Sequence, residues 1–253
     1  FRFLTYCKNY IKYTSPKVII TFIDTNIQFY ELKNNFKDIN FISIQNGHRF
    51  ENYSMFHNKK YINSQKLKCD HIFVFNKYYV KEYKRIIKSK YHILGNFKNN
   101  IVKINKTKIN KQFLFISQFV KNHKKKIFQK KLLNFINLYL LRNKKKLHIL
   151  LRNKNNLKQK KEIEFYKKIL RSNCVFHKTS KWKNSYKILD KFENIIFMFS
   201  TFGYEAIARK KKVVIFSPSR DSNFILNFGW PGLYKKGYDF FSAKNLTYGE
   251  IKR

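Results

Sequence analysis

The chain has 253 residues, 43% of them hydrophobic, with 55 basic and 14 acidic residues and a net charge of +41. That apolar content supports a packed core and excludes a disordered polyelectrolyte. The basic set is 46 Lys against 9 Arg, beside only 3 Ala, 3 Pro and 7 Gly; this is the profile of AT-rich codons and lacks the Arg enrichment of bidentate phosphate recognition, so no nucleic-acid partner is predicted from charge.

Taken in order, the chain alternates strand and helix signals. Val18 to Ile23 is an apolar run ending at Asp24, Ile27 to Phe36 has helical spacing, and Phe41 to Ile44 is a strand ending in Gln45-Asn46-Gly47-His48-Arg49. A polar loop to about Lys68 precedes a strand at Ile72 to Phe75, a helix at Tyr79 to Ile87 and a short strand at Tyr91 to Leu94, closed by Gly95. Residues 101–110 read as a linker between 1–100 and 111–253. The second half restarts with a strand at Phe113 to Ile116 and a helix at Ile127 to Leu141, the run Lys121 to Lys126 between them reading as a solvated loop. A strand at Leu147 to Leu151, a helix at Glu162 to Leu170, a short strand at Val175-Phe176 and a helix at Tyr186 to Phe192 follow. The 127–141 helix is basic and apolar enough to lie on a membrane, but its place after a strand favours packing on a sheet. Continuous apolar strands between helices predict parallel sheets covered on both faces, in two α/β halves that share a cleft.

The segment 197–218 carries the most chemistry. Two apolar runs, Ile195 to Phe199 and Val213 to Phe216, flank a helical pattern from Phe202 to Lys210, a compact parallel βαβ unit. Ser200 and Thr201 sit at the helix N-terminus, where free N–H groups and the helix dipole favour a phosphate. Glu205 lies one turn on, on Thr201's side of the helix, placed to accept from sugar hydroxyls. A plain N-cap with an exposed glutamate stays open as the alternative. Ser117, Gln118 and Arg152 also follow strands of the second half, which puts them on the same rim. Arg152 is the candidate phosphate cation, with a solvated loop arginine as its alternative.

In the first half Asp24 follows an apolar strand and is the candidate base or nucleophile, the alternative being an N-cap for the segment near Asn26. His48 can exchange a proton near neutral pH, and with Arg49 it follows Gly47, whose backbone freedom permits a tight turn toward a ligand. His71, His92, His148 and His177 lie in or beside strands and read as structural, with no partner evident. No Asp-x-Asp pair and no ligand-spaced His/Cys/Asp/Glu cluster occurs, so no metal and no cofactor beyond the substrate is predicted. Cys7, Cys69 and Cys174 are isolated, which argues against a disulfide framework and fits a reducing cytoplasm. No apolar stretch approaches the roughly 20 residues of a membrane span. The chain starts with Phe and stops in mid-pattern, the expectation for a piece of a longer protein.

Several segments resemble a family of bacterial surface-carbohydrate biosynthesis proteins related to GT-B-type glycosyltransferases. They are VIITFIDTNIQFYEL (18–32), FISIQNGHR (41–49), DHIFVFNKYY (70–79), FLFISQF (113–119), LHILLRN (147–153), STFGYEAIARKKKVVIFS (200–217) and FGWPGLYKKGYDFF (228–241). The resemblance implies two Rossmann-like domains facing a cleft. The first half, 1–100, would be the acceptor side, and 111–253 the nucleotide-sugar donor side. It implies a metal-independent glycosyltransferase that moves a sugar from a nucleotide-activated donor to a surface polysaccharide or lipid-linked saccharide. A CMP-sugar donor is favoured by analogy with distant relatives. Cytoplasmic location with peripheral contact to an anionic membrane follows from that role and the basic charge. The alternatives are a nucleotide-sugar epimerase-like enzyme and a non-catalytic nucleotide-sugar or nucleic-acid binder. The family tends to carry an acid just before the Ser-Thr pair, where this chain has Phe199.

Overall fold

The computed structural model describes residues 3–47, 49, 55–56, 58–64, 66–104, 109–119, 123–198 and 200–216. The chain divides into two compact units, 1–101 and 102–253. His48, Phe199 and the 228–241 segment lie outside the described residues.

The first unit opens with helix α1, Phe3–Thr14, which the sequence reading does not contain. Ile11 is buried in the unit's core and Leu4 and Cys7 pack against it, a 3–4 spacing that turns one face of α1 to the core, where it meets α2. Then come β1 (Val18–Thr21), α2 (Ile27–Leu32, continued by a 3-10 turn), β2 (Asn40–Ile44), β3 (Leu67–Val74), α3 (Lys77–Lys84), β4 (Ile87–Ile93) and the one-turn α4 (Phe97–Asn100). Asparagines start three of these helices: the side chains of Asn26, Asn76 and Asn96 accept from backbone N–H groups of the first turn. The cap of α2 is therefore Asn26 and not Asp24.

All four strands are parallel, in the order β1-β2-β3-β4. Each strand adds to the same side of its predecessor, and right-handed crossovers then put every connection on one face. The core follows: Phe29, Tyr30, Phe41, Ile72, Val74, Tyr79 and Tyr83 form one buried cluster on that face. On the other face Val18 is 45% and Ile20 56% exposed. The expectation of cover on both faces fails here, among the described residues, because the strand order never reverses.

The second unit contains β5 (Asn110–Ile116), α5 (His123–Arg142), β6 (Leu147–Leu150), α6 (Asn156–Leu170), β7 (Cys174–His177), α7 (Trp182–Asp190), β8 (Phe192–Phe197), α8 (Thr201–Ala208) and β9 (Lys212–Ile215). Lys124 to Lys126 belong to α5 and not to a solvated loop. The parallel order is β7-β6-β5-β8-β9, which does reverse, at β5. Crossovers to either side therefore cover both faces. Phe113 and Phe115 meet Leu132, Leu133 and Ile136 of α5 and Phe165 and Tyr166 of α6 in one cluster. Leu114 and Ile116, the alternate residues of β5, meet Leu189 of α7 and Ala206 of α8 in another.

The histidines read as unpaired are paired with each other across neighbouring strands. His71 Nδ1 lies 3.0 Å from His92 Nε2, and His148 Nδ1 lies 2.9 Å from His177 Nε2. Burial pushes His148 down from 6.5 to about 4, helped by the neighbouring His177, and lowers His177 as well. A histidine depressed in the native state is neutral there but protonated in the unfolded chain between the two values. The unfolded state binds the extra proton, so stability is complete above pH 6.5 and falls as pH drops toward 4. His148→Gln should flatten that part of the curve, read as the urea midpoint from pH 7 to 4; an unchanged slope would show that the pair does not govern it.

Candidate functional site

The reversal at β5 makes a topological switch point. Chains leaving β5 and β8 diverge to opposite faces, and the carboxyl ends of strands at such a point are where open α/β sheets bind ligands. β5 and β8 pair directly, with Phe115 opposite Ile196. Ser117 and Gln118 follow β5, and Ser200 and Thr201 begin the turn into α8 just beyond β8. These four predicted donor residues thus lie just beyond the carboxyl ends of two adjacent strands, with Ser117 and Gln118 themselves buried.

Ser117 is buried because Glu162 of α6 holds it. The Glu162 carboxylate, 0% exposed, accepts from the Ser117 hydroxyl. It also accepts from the backbone N–H groups of Arg152 and Asn153 at 3.0 Å each and from Asn153 Nδ2 at 2.7 Å. The Tyr166 hydroxyl lies 2.8 Å from Ser117 Oγ, and burial pushes its pKa up, so it stays a neutral partner. One carboxylate therefore fixes the exits of both β5 and β6. Arg152 is tied here through its backbone, while its side chain is exposed. Glu162 is missing from the sequence reading of the site, although its spacing to Phe165 and Tyr166 already puts it on the buried stripe of α6.

The Ser200 side chain caps α8, accepting from the Phe202 N–H at 3.3 Å. A Cβ at Gly203 would overlap the Phe197 ring, so glycine is what lets the first turn of α8 lie against β8. Glu205 is only 8% exposed, and the Tyr186 hydroxyl donates to it. It is thus not the exposed glutamate of the plain-cap alternative. Behind it Arg209 forms a two-bonded ion pair with Asp190, at 2.7 and 2.6 Å, and donates to the carbonyls of Val102 and Lys103. Both side chains of that pair are 1% exposed.

In the first unit Asp24 and Arg49 meet. Asp24, 0% exposed, accepts from Arg49 Nε at 3.0 Å, from a second Arg49 nitrogen, from the Tyr83 hydroxyl and from the Asn46 N–H at 3.2 Å. Burial, and then the Asp24 charge, raise the Tyr83 pKa, which keeps that hydroxyl a donor. Arg49 also donates to Asn46 Oδ1 at 2.7 Å. Gln45 clamps the same turn, donating to the Gly47 carbonyl and accepting from the Phe75 N–H, both at 2.9 Å. Asp24 thereby positions Arg49 and the turn after β2, and a role as base or nucleophile requires this ion pair to open. Tyr83, another of its partners, carries no signal in the sequence, because its role arises from segments that meet only in the folded unit.

Among the described residues no group of three His, Cys, Asp or Glu is arranged to hold a metal, and no helix is long and apolar enough to cross a membrane. The three cysteines are free.

The model of the Lept_O_ant_chp1 family, described as "putative O-antigen biosynthesis protein", matches residues 42–132 and 128–248. The chain belongs to this family. Among curated proteins none matches it in sequence. Solved structures share the fold. A mutant of S. aureus TarM in complex with fondaparinux, alpha-GlcNAc-glycerol and UDP is 20% identical with a TM-score of 0.52, covering 84% of this chain and 44% of that one. S. aureus MnaA with UDP is 16% identical with a TM-score of 0.57, covering 84% and 60%. The Methanocaldococcus jannaschii UDP-GlcNAc 2-epimerase with UDP-GlcNAc and UDP is 13% identical with a TM-score of 0.55, covering 84% and 63%. The family member thus spans less than two thirds of each of these chains. Its fold class is theirs: two Rossmann-like parallel-sheet units of GT-B-like type.

Proposed function

We propose that this family member is a glycosyltransferase-type enzyme that moves a sugar from a nucleotide-activated donor to a surface polysaccharide or lipid-linked saccharide. The observation that carries this reading is the β5/β8 switch point, with Ser117, Gln118, Ser200 and Thr201 around it and the N-terminus of α8 at its edge. Sugar transfer needs the departing nucleotide phosphate stabilised as its charge develops. The α8 N-terminus, the Thr201 hydroxyl and the exposed Arg152 supply that stabilisation, and Glu205, oriented by Tyr186, accepts from the ribose. On the acceptor side Arg49, held by Asp24, orients the incoming hydroxyl, and His48 takes its proton. The donor is a CMP-sugar by family resemblance, with UDP-sugars as the competitor that the solved neighbours suggest. The basic charge supports a peripheral position at the anionic inner face of a membrane.

Product analysis with a panel of CMP- and UDP-sugars tests the reaction. Transfer to a saccharide supports the proposal; an epimerised nucleotide sugar with no transfer overturns it in favour of the second reading, which the epimerase neighbours motivate. The donor site has its own signature. Losing a hydrogen bond to a charged phosphate costs about 1.5–3 kcal/mol, roughly 10- to 150-fold in affinity. Thr201→Val should weaken the nucleotide by that much and spare the nucleoside, whereas Glu205→Gln should weaken both. Calorimetric titration of cytidine, CMP, uridine and UMP reads the contrast. Unchanged affinities in both folded variants would reduce this segment to a packed βαβ unit.

A further inference from the structure

Between α5 and α6 the second unit carries a cleft of about 630 Å³ that the proposed reaction does not use. Lys126 and Lys130 of α5 and Lys161 and Lys168 of α6 line it, together with Arg171 just after α6. Glu164 is the single carboxylate among the described residues of its walls, and Phe119 and Phe165 contribute apolar surface. The Lys126 ammonium stands 5.6 Å from the Phe165 ring centroid.

Lysine abundance alone scatters positive charge over the whole surface. Here five cations converge on one concavity with an aromatic lining, of a size typical of ligand clefts. Lys161 and Lys168 are seven residues apart on α6, about 10 Å along its axis, so the charges form a track and not a point. A flat bilayer cannot follow a recess whose aromatic lining lies between two helices. Stacked bases need broad exposed rings, and Phe165 is 8% exposed with a cation beside it. A sugar ring needs only a small apolar patch for its C–H face, and acidic substituents along a saccharide match a track of cations.

We infer that the α5–α6 cleft binds an anionic saccharide chain, its carboxylate or phosphate groups on the Lys and Arg side chains and its ring faces against Phe119 and Phe165. The choice of saccharide among anions rests on the proposed role in surface-polysaccharide assembly; the cleft and its charge do not. The experiment measures binding of an oligogalacturonate to the full chain at 0.15 M salt, with a neutral dextran oligomer, a thymidine decanucleotide and vesicles containing anionic phospholipid in parallel. Lys130→Glu/Lys168→Glu is compared with Lys88→Glu/Lys90→Glu, an equal charge change in the other unit, with all four lysines exposed. Serine versions of the cleft pair cover a failure of the reversed pair to fold.

The cleft pair should weaken oligogalacturonate about tenfold or more, the control pair less than threefold, and the dextran should not bind. Equal losses in both pairs would mean net charge alone and overturn the site. No binding of oligogalacturonate, or a cleft-dependent loss seen with the decanucleotide or the vesicles instead, would overturn the ligand class. Because no sugar transfer is measured, failure of the transferase reading leaves this result standing, and the reverse holds as well.

Discussion

Glu162→Ala should lower the stability of the second unit by about 3–5 kcal/mol, among the largest losses available to a single substitution. The carboxylate is fully buried and takes four hydrogen bonds from Ser117, Arg152 and Asn153, two of them from backbone N–H groups. Deleting it takes the acceptor from the part-buried Arg152 and Asn153 donors and leaves the buried Ser117 hydroxyl only Tyr166 as a partner, and each unsatisfied buried group costs about 1–3 kcal/mol before any relaxation or water entry. Glu162→Gln should be nearly as harmful, because one acceptor oxygen becomes an NH2 facing donors. The exits of β5 and β6 would then lose their fixed positions, so nucleotide affinity should fall in both variants at temperatures where they remain folded. Urea denaturation with calorimetric titration reads both effects. Near-parental stability of Glu162→Ala would show that the strand ends are held by other means.

Asp24→Ala should cost about 3–5 kcal/mol in the first unit by leaving the Arg49 guanidinium without its counter-charge. Arg49 is 14% exposed and Asp24 not at all. Arg49→Met should cost at least as much, since the charge left behind is the more deeply buried one. The two losses should fall well short of additive in the double variant, because either change alone destroys the same pair. Nucleotide affinity should stay within a factor of about two, because the proposed donor site lies in the other unit, while transfer at saturating donor should drop sharply. Denaturation of the double-mutant cycle and nucleotide titration check this. Additive losses would mean that Asp24 and Arg49 act independently, and a transfer defect in a variant of parental stability would return Asp24 to direct contact with substrate.

Much of the fold is legible in the sequence because strand and helix periods are local. The runs at 18–23, 41–44, 113–116 and 147–151 each carry a strand, and the helix at 201–208 begins at the predicted Ser-Thr pair. Local signals fade where pairing sets the limits. β4 starts at Ile87, inside the predicted helix, because Ile87 pairs with Leu67 of β3. Composition also misleads: Lys124 to Lys126 look like a solvated loop yet form the first turn of α5.

The sequence by itself determined the α/β class, the alternation of strands and helices, and the residue types that follow the strands, since these depend on spacing along one chain. Strand order was left to the tertiary structure. Only the pairing of β5 with both β6 and β8 sets Ser117 and Ser200 beyond the ends of adjacent strands, and only the unreversed order of the first unit leaves Ile20 on an open face. Burial was decided there too. Asp24 and Glu162 are both acids on an overwhelmingly basic chain, and nothing local distinguishes a carboxylate that meets substrate from one that holds the backbone. The distinction comes from partners far apart in sequence, Tyr83 for Asp24 and Ser117 for Glu162, which desolvate each carboxylate and supply the hydrogen bonds that its burial requires.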